Sequence, residues 1–346
     1  MKKPDVYYGD YLQLDKIINA QETESGKLGK EAHDEMLFIV EHQAYELWFK
    51  QMLYELASIQ KLMGQGEIDD NGPGLQTVVH RLERCVEILK VLVQQISIME
   101  TMTPMDFLEF RDLLRPASGF QSFQFKLIEA RLGLKLEFRH GRDYYLSQLR
   151  EEHIRMIAEV ESQKSILELL NSWLERMPFF DQKENWENFE GISSEDPHTF
   201  WATYRETYAA GLNDAESDIL KYFDQVFFDE KFVADRRLSN AANRSALFIM
   251  LYRSYPLLHL PFRMLNLLLE IDEQMALWRY RHINMVHRII GTRVGTGGSS
   301  GKNYLKASAD KHYIFQEIAE LTSFLVNSGS TPRLSNELVE KLSFKL

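Results

Sequence analysis

Residues 276–301 read ALWRYRHINMVHRIIGTRVGTGGSSG, a helical pattern that ends in a glycine-rich loop. One face of the helical part carries Trp278, His282, Met285, Val286 and Ile289, at positions i, i+4, i+7, i+8 and i+11. Apart from the histidine, these side chains are apolar. One histidine on an apolar helix face is typical of an axial haem ligand, because a porphyrin needs apolar walls and one nitrogen donor. A hydrogen-bonded core histidine gives the same pattern more often. The pattern alone leaves both interpretations open.

The loop after this helix contains Gly295, Gly297, Gly298 and Gly301. A phosphate-binding P-loop is excluded, since Thr296 stands where the motif needs glycine and Asn303 where it needs serine or threonine. A helix also precedes the loop, where a P-loop follows a strand. What remains is a flexible loop with backbone N–H groups and the Thr296 hydroxyl. Such a loop can fold over an anionic or zwitterionic ligand.

The composition is that of an ordinary globular protein. The 346 residues are 45% hydrophobic and 26% charged, and 51 acids against 40 bases give a net charge of −11. That charge argues against nucleic-acid and anionic-membrane partners. The single cysteine, Cys85, excludes an internal disulfide and a cysteine-based zinc site. The N-terminus MKKPDVYYGD has no apolar signal region, and no apolar run reaches 18 residues, so we expect a cytoplasmic protein.

Helical periodicity continues over most of the chain. The pattern of residues 31–63 predicts a long helix. One of its faces carries Glu35, Phe38, His42, Tyr45 and Phe49, so that a second histidine lies among aromatic side chains. Further helices are expected at 75–100, 120–132, 151–177, 201–237, 238–255, 262–290, 310–326 and 334–345. Strand-type alternation is not sustained anywhere and no repeat has a fixed period. We therefore predict an all-α fold with long core helices and no significant sheet.

The domain organisation predicted from these patterns is one all-α domain over residues 1–346. Residues 1–28 form an N-terminal arm with three tyrosines, Tyr7, Tyr8 and Tyr11, followed by Leu12. The arm packs either on a neighbouring subunit or on the chain's own core, and the pattern does not choose between them. Residues 137–200 are more polar and are interpreted as a helical insertion.

A short helix follows Thr103-Pro104, with Phe107 and Arg111 four residues apart on one side. An arginine is by default a surface charge. Beside an apolar pocket it would instead grip a carboxylate with its forked guanidinium.

Other chemistries are not supported. The histidine spacings do not fit a zincin. A di-iron bundle needs two Glu-x-x-His pairs on helices, and of the two candidates, 137–140 and 195–198, the second contains Pro197. No nucleophile elbow of the Gly-x-Ser-x-Gly type is present, and Cys85 lies in the middle of a helix. Two histidines on aromatic helix faces, an arginine and a glycine-rich loop favour a haem or small-ligand pocket.

Four blocks of the sequence resemble the tryptophan 2,3-dioxygenase family. They are YGDYLQLD at 8–15, HDEMLFIVEHQAYELWFKQMLYEL at 33–56, FLEFRDLLRPASGFQSFQF at 107–125 and WRYRHINMVHRIIGTRVGTGGSSG at 278–301. The resemblance implies a cytoplasmic homotetramer, a dimer of dimers, whose all-α subunits each bind haem b, ferrous in the active form. It implies that L-tryptophan and O2 give N-formyl-L-kynurenine by cleavage of the indole 2,3-bond, the first step of tryptophan degradation through kynurenine.

The resemblance also implies roles for single residues. His282 matches the axial ligand of the haem iron, and Ser118 a serine beside the haem. His42 matches the catalytic histidine that hydrogen-bonds the indole N–H. Arg111 matches the arginine that binds the substrate carboxylate, and Thr296 the loop threonine at the amino-acid end of the substrate.

The substrate pocket implied by the resemblance has more members. Phe38 and Phe107 wall the indole, and the substrate-binding run 38–42 adds Ile39, Val40 and Glu41. Tyr8, Tyr11 and Leu12 match the segment that closes the pocket of the adjacent subunit. The departures from the family pattern include Glu41 and Arg115, which lie beside functional positions.

Two alternatives remain open at this point. A family member could insert one oxygen atom into tryptophan or act on another indole. The product depends on very small differences in where the substrate lies relative to the oxygen. A helical scaffold with a vestigial pocket is disfavoured by the joint presence of His282, His42, Arg111 and Thr296.

Overall fold

A computed structural model describes residues 5–65, 72–139, 146–176, 199–213, 216–229, 231, 236–291, 293 and 312–343. Within these ranges the regular structure is helical and there is no β-strand, so the predicted all-α fold is confirmed. None of the helices described in these ranges is long and apolar enough to cross a membrane.

The α-helices of the described part differ widely in length, and α4, α5 and α13 are by far the longest, with 32, 27 and 35 residues. In chain order they are α1 (Tyr8–Leu12), α2 (Leu14–Ile18), α3 (Glu24–Lys27), α4 (His33–Gly64), α5 (Pro73–Met99), α6 (Pro104–Phe110), α7 (Phe123–Leu132), α8 (Glu151–Glu161), α9 (Ile166–Glu175), α10 (Thr199–Ala210), α11 (Ser217–Phe227), α12 (Asn240–Leu251), α13 (Pro256–Ile290), α14 (Gln316–Glu320) and α15 (Asn336–Leu342). Short 3-10 turns lie at Arg111–Leu114, Gly119–Gln121, Leu136–Phe138 and Leu321–Phe324.

The three longest helices pack together at the centre of the molecule. α13 runs along α5, α5 lies against α4, and the other side of α4 contacts α7 and α9. The α5 face predicted to point inward is buried along its length, including Leu75, Val78, Leu82 and Leu89. Each such side chain contributes about 1.5–3 kcal/mol when fully buried. This packing puts the His42 helix and the His282 helix into one core.

The ends of the helices near the predicted site follow from local sequence. Thr103 and Asp106 form a reciprocal capping box at the start of α6, and the Thr103 N–H donates to the Asp106 carboxylate over 2.8 Å. Pro104 occupies the first helical position, where its missing N–H costs no helical bond. α13 ends at Gly291, whose φ of 60° is one that glycine adopts without strain.

The predicted start of the His282 helix at residue 262 is wrong, because α13 begins six residues earlier at Pro256. Pro261 therefore lies inside the helix. A proline there removes one bond to the carbonyl four residues earlier, which is normally costly. Pro261 is buried beside Leu258 and Leu265, so burial of this face offsets the lost bond.

Two predicted long helices are each divided into two. The range 201–237 breaks after α10, where Gly211 and Leu212 donate backbone bonds only three residues back and the helix ends. The range 151–177 breaks before α9, because Ser165 caps a new helix: its hydroxyl accepts the Glu168 N–H at 3.3 Å. The apolar periodicity of the sequence continues across both breaks, so it predicts one helix where the backbone forms two.

The structure adds detail to the arm and to the 137–200 range without deciding the domain boundaries, which stay predictions. The arm is tied to α4 where Glu35 accepts the N–H groups of Glu24 and Ser25 over 2.8 and 2.9 Å. In the 137–200 range, Leu170 and Leu174 of α9 are fully buried in the main core. This part of the predicted insertion therefore contributes to the stability of the central helices.

Candidate functional site

His282 lies on α13, where its ring stacks on the indole of Trp278 one turn earlier. The ring centroids are 5.2 Å apart and the two planes differ by 1°. The His282 side chain is half-buried. Within the part of the chain that the structure describes, neither of its ring nitrogens has a hydrogen-bond partner. Among the described residues, nothing makes His282 the hydrogen-bonded core histidine that could give the same sequence pattern.

The electrostatic surroundings keep His282 uncharged. Burial lowers its pKa to about 4, with a smaller contribution from repulsion by His42. The imidazole is therefore neutral at pH 7 and has a nitrogen lone pair to offer to a metal. A neutral imidazole on an apolar helix face, with no hydrogen-bond partner among the described residues, fits the requirements of a haem ligand.

His42 lies on α4 and is also paired with an aromatic ring one turn earlier. Its ring centroid is 4.1 Å from that of Phe38, and the planes are tilted by 33°. The His42 Nδ1 is 2.7 Å from the Phe38 carbonyl oxygen. A carbonyl only accepts, so Nδ1 carries the proton of the neutral ring and Nε2 is an acceptor.

The two histidines lie close enough for their charges to interact. The side chain of His42 is accessible to solvent, yet burial lowers its pKa below the ordinary value. The His42 ring is therefore close to protein on one side and accessible to water on the other. The repulsion that His42 exerts on His282 shows that α13 brings the second imidazole near the first.

A cluster of phenylalanine rings lies beside His42. Phe38 lies 5.8 Å from Phe107 and 5.6 Å from Phe110, and Phe107 meets Phe110 edge to face at 5.3 Å. Phe107 and Phe110 are both buried, and α6, which carries them, packs on α4. Edge-to-face aromatic clusters of this kind hold flat apolar surfaces at fixed angles. The cluster gives the His42 side a rigid apolar wall.

Arg111 follows directly after this wall. It begins the 3-10 turn Arg111–Leu114, and its backbone N–H donates to the Phe107 carbonyl. Only 5% of the residue is exposed. A guanidinium is almost never buried without polar partners, so this position differs from the surface charge that an arginine is by default.

The remaining members of the run 38–42 face other directions. Ile39 is half-buried, whereas the side chain of Val40 is exposed. Glu41 is buried beside Gln95 of α5, and burial raises the pKa of its carboxyl group. Five consecutive residues of a helix point around its whole circumference, and Phe38 and His42 are the two of this run whose rings are in contact.

The other predicted site residues are Ser118, three residues of the N-terminal arm and Thr296. Ser118 caps the 3-10 turn Gly119–Gln121 and accepts the Phe120 N–H at 3.3 Å. Tyr8 and Tyr11 are 72% and 75% exposed, and Leu12 is also exposed. Thr296 lies outside the described residues.

Sequence reasoning did not assign two parts of the site. Phe110 completes the phenylalanine wall, and its spacing of three residues from Phe107 is the signal that could have indicated it. The other part is the surroundings of Trp278, which contacts Tyr45, Phe49 and Phe125 at ring distances of 6.0, 6.5 and 5.0 Å. These contacts join helices distant in sequence and have no local signal.

Comparisons with known proteins place the chain in one family. Residues 1–325 match the sequence model of the family described as tryptophan 2,3-dioxygenase. A protein named tryptophan 2,3-dioxygenase from Alteromonas mediterranea is 42% identical over 98% of this chain and 98% of its own length. Proteins of the same name from Dictyostelium discoideum and Rattus norvegicus are 41% and 38% identical, over 98% and 99% of this chain and 88% and 87% of their own lengths. With similarity of this extent, the chain belongs to the tryptophan 2,3-dioxygenase family.

Proposed function

We propose that the protein is a haem-dependent dioxygenase that converts L-tryptophan and O2 to N-formyl-L-kynurenine. The observation that carries the proposal is His282, a neutral imidazole with no hydrogen-bond partner in the described structure, near His42. Full-length similarity to proteins named tryptophan 2,3-dioxygenase supports the substrate and the reaction. The alternative of mono-oxygenation has no observation in its favour.

His282 is proposed as the protein ligand of a haem b, ferrous in the active form, and Ser118 as a residue beside it. Bound haem would supply the position at which O2 is held next to the substrate. With His282 as the only protein ligand, the iron would keep a site open for O2. The task of the protein is then to hold an indole at that position and to keep water out.

The phenylalanine wall and His42 are proposed to orient the indole. Phe38 and Phe107 offer flat apolar surfaces to its two-ring system. The Nε2 of His42 can accept the indole N–H, because its Nδ1 proton is engaged by the Phe38 carbonyl. An indole N–H is a very weak acid, so we propose that His42 orients the ring and does not remove its proton.

Arg111 is proposed to bind the substrate carboxylate. A bidentate guanidinium–carboxylate pair in a buried site is both strong and directional. It would select a free amino acid over an indole that lacks the carboxylate. Thr296, in the glycine-rich segment, is proposed to contact the amino-acid end, with Ile39, Val40 and Glu41 as further members of the substrate-binding run.

Reaction stoichiometry tests the proposed function. Haem-loaded, reduced protein should consume L-tryptophan and O2 in equal amounts and release one molecule of N-formyl-L-kynurenine for each. Oxygen uptake and chromatography measure the three quantities. Haem-free protein is the control and should consume neither substrate. Consumption of oxygen without the formylated product, or failure of the protein to take up haem, would contradict the proposal.

The low pKa of His282 predicts that haem is retained under mildly acidic conditions. An ordinary histidine is half protonated at pH 6.5, whereas His282 titrates at about 4. A proton therefore competes with iron for its nitrogen only as the pH approaches about 4. Absorbance of the haem measured against pH should be constant through 6.5 and fall near 4. Circular dichroism on the same samples distinguishes the release of haem from unfolding of the protein. Release of haem near pH 6.5 with full helix content would refute His282 as the haem ligand.

We propose that the N-terminal arm covers the pocket of a neighbouring subunit in a homotetramer, a dimer of dimers. The exposed Tyr8, Tyr11 and Leu12 support this, because they leave an apolar face without cover. Deleting residues 1–12 should lower activity about tenfold by admitting water, while haem binding is unchanged. Light scattering should give four chains for the intact protein. Full activity after the deletion would exclude the arm as a cover.

A cytoplasmic location is proposed from the cysteine usage and the family resemblance. The only cysteine, Cys85, is buried in α5, where burial raises the pKa of its thiol to about 12 and makes it unreactive. Such a chain has no requirement for an oxidising compartment. Fractionation of cells that express the protein tests the location directly.

A further inference from the structure

Trp278 contacts the proposed haem ligand, His282, but has no role in the proposed function. Its indole lies parallel to the His282 ring, with 1° between the planes and 5.2 Å between the centroids. Spacing of four residues alone does not produce this, since the equivalent pair on α4, Phe38 and His42, is tilted by 33°. Something beyond α13 therefore sets the orientation of the indole.

Rings from two other helices hold Trp278 in place. Tyr45 and Phe49 of α4 meet it edge to face, at 75° and 81°, and Phe125 of α7 lies against it at 5.0 Å and 34°. The Tyr45 hydroxyl donates to the Leu92 carbonyl on α5 over 3.1 Å, which fixes the tyrosine ring in turn. With neighbours on several sides, the indole has one orientation open to it.

An ion pair fixes the position of α13 relative to α7 at the same level. Arg279, the residue after Trp278, donates to the Glu129 carboxylate over 2.6 Å, and both side chains are 5% exposed. The Arg279 guanidinium also lies over the Phe125 ring at 5.8 Å. Glu129 and Phe125 are four residues apart on α7. The ring that contacts Trp278 and the carboxylate that holds Arg279 therefore lie on one face of α7.

We propose that Trp278 is a positioning residue for His282, whose imidazole plane it fixes by stacking. This inference rests on the proposed function, because it takes His282 as the haem ligand. No hydrogen bond to a described residue prevents the His282 imidazole from rotating about the bond to its Cβ atom. A parallel indole, itself held by α4 and α7, restricts that rotation. Partners that orient a metal-binding histidine raise metal affinity and set the properties of the metal–nitrogen bond.

The test compares Trp278→Leu and Trp278→Phe with the wild-type protein. The leucine variant loses the parallel ring, and its haem affinity should fall about tenfold, within the range for residues that orient a metal ligand. The iron–histidine stretching frequency, measured by resonance Raman spectroscopy on ferrous protein, should shift and broaden. The phenylalanine variant keeps an aromatic face and should retain haem affinity within about threefold. Its iron–histidine band should lie close to that of the wild-type protein.

Trp173→Leu is the matched control, because Trp173 is a buried tryptophan on α9, away from α13. It should lower the free energy of unfolding as Trp278→Leu does, without moving the iron–histidine band. An unchanged band and affinity in Trp278→Leu would overturn the inference, as would an equal shift in Trp173→Leu. Both results require that wild-type protein binds haem through a histidine. Absence of that band in the wild-type protein would contradict the proposed function itself.

Discussion

Replacing His282 by alanine is expected to abolish stable haem binding and, with it, turnover. The described structure offers His282 no hydrogen bond, so the substitution removes the stack on Trp278 but breaks no hydrogen bond to a described residue. The fold should survive with helix content unchanged. Haem affinity should fall by more than about 100-fold. That figure is the largest loss typical of mutating a residue that orients a metal ligand, and here the ligand itself is lost. Titration of haem-free protein with haem, followed by absorbance, measures the effect.

The control for this experiment is His287→Ala. His287 is on the same helix five residues later and is exposed to solvent, so its ring points away from the core. Its replacement should leave haem affinity unchanged. Added imidazole should restore part of the haem spectrum to His282→Ala by entering the vacated space. A His282→Ala protein that keeps the wild-type spectrum would remove the basis of the assignment, and a wild-type protein that never binds haem would favour a scaffold.

Arg111→Met is expected to raise the KM for L-tryptophan by a large factor while haem affinity is unchanged. Methionine preserves much of the apolar stem and removes the charge. Losing one partner of a buried hydrogen-bonded charge pair costs about 2–5 kcal/mol, which corresponds to roughly 30-fold to several thousand-fold in kcat/KM. Steady-state kinetics with L-tryptophan and with tryptamine, which has no carboxylate, measure the effect separately for each substrate.

The comparison of the two substrates identifies the cause. If Arg111 binds the carboxylate, the variant should lose activity toward L-tryptophan and show little change toward tryptamine. Arg115→Met is the control, since Arg115 forms an exposed pair with Asp112 and its loss should cost less than about 1 kcal/mol. An equal loss of activity toward both substrates would mean that Arg111 supports the pocket wall and not the carboxylate.

The sequence predicted the central helices because their patterns are long and local. α4 was expected at 31–63 and is found at His33–Gly64, and α5 was expected at 75–100 and is found at Pro73–Met99. Phe38 and His42 were expected on one face, and their rings are in contact. The same reasoning placed Trp278 and His282 on one face. Periodicity over many turns outweighs the ambiguity of any one residue.

The rest could not be predicted because it depends on contacts between distant residues or on single capping groups. The Glu129–Arg279 pair joins residues 150 positions apart, and neither residue differs in sequence from an ordinary surface charge. The helix start at Pro256 needed burial of Pro261, which is a property of the packed core. The burial of Arg111 likewise depends on how α6 meets α4.

Labelled oxygen gives the most direct measurement of the central claim, that this chain is a dioxygenase that transfers both atoms of O2 to one product. Haem-loaded, reduced protein is incubated with L-tryptophan under ¹⁸O2, and the product is analysed promptly by mass spectrometry. We predict N-formyl-L-kynurenine that carries two labelled atoms. A product with a single labelled atom, the other coming from water, would contradict the account and identify the protein as a mono-oxygenase.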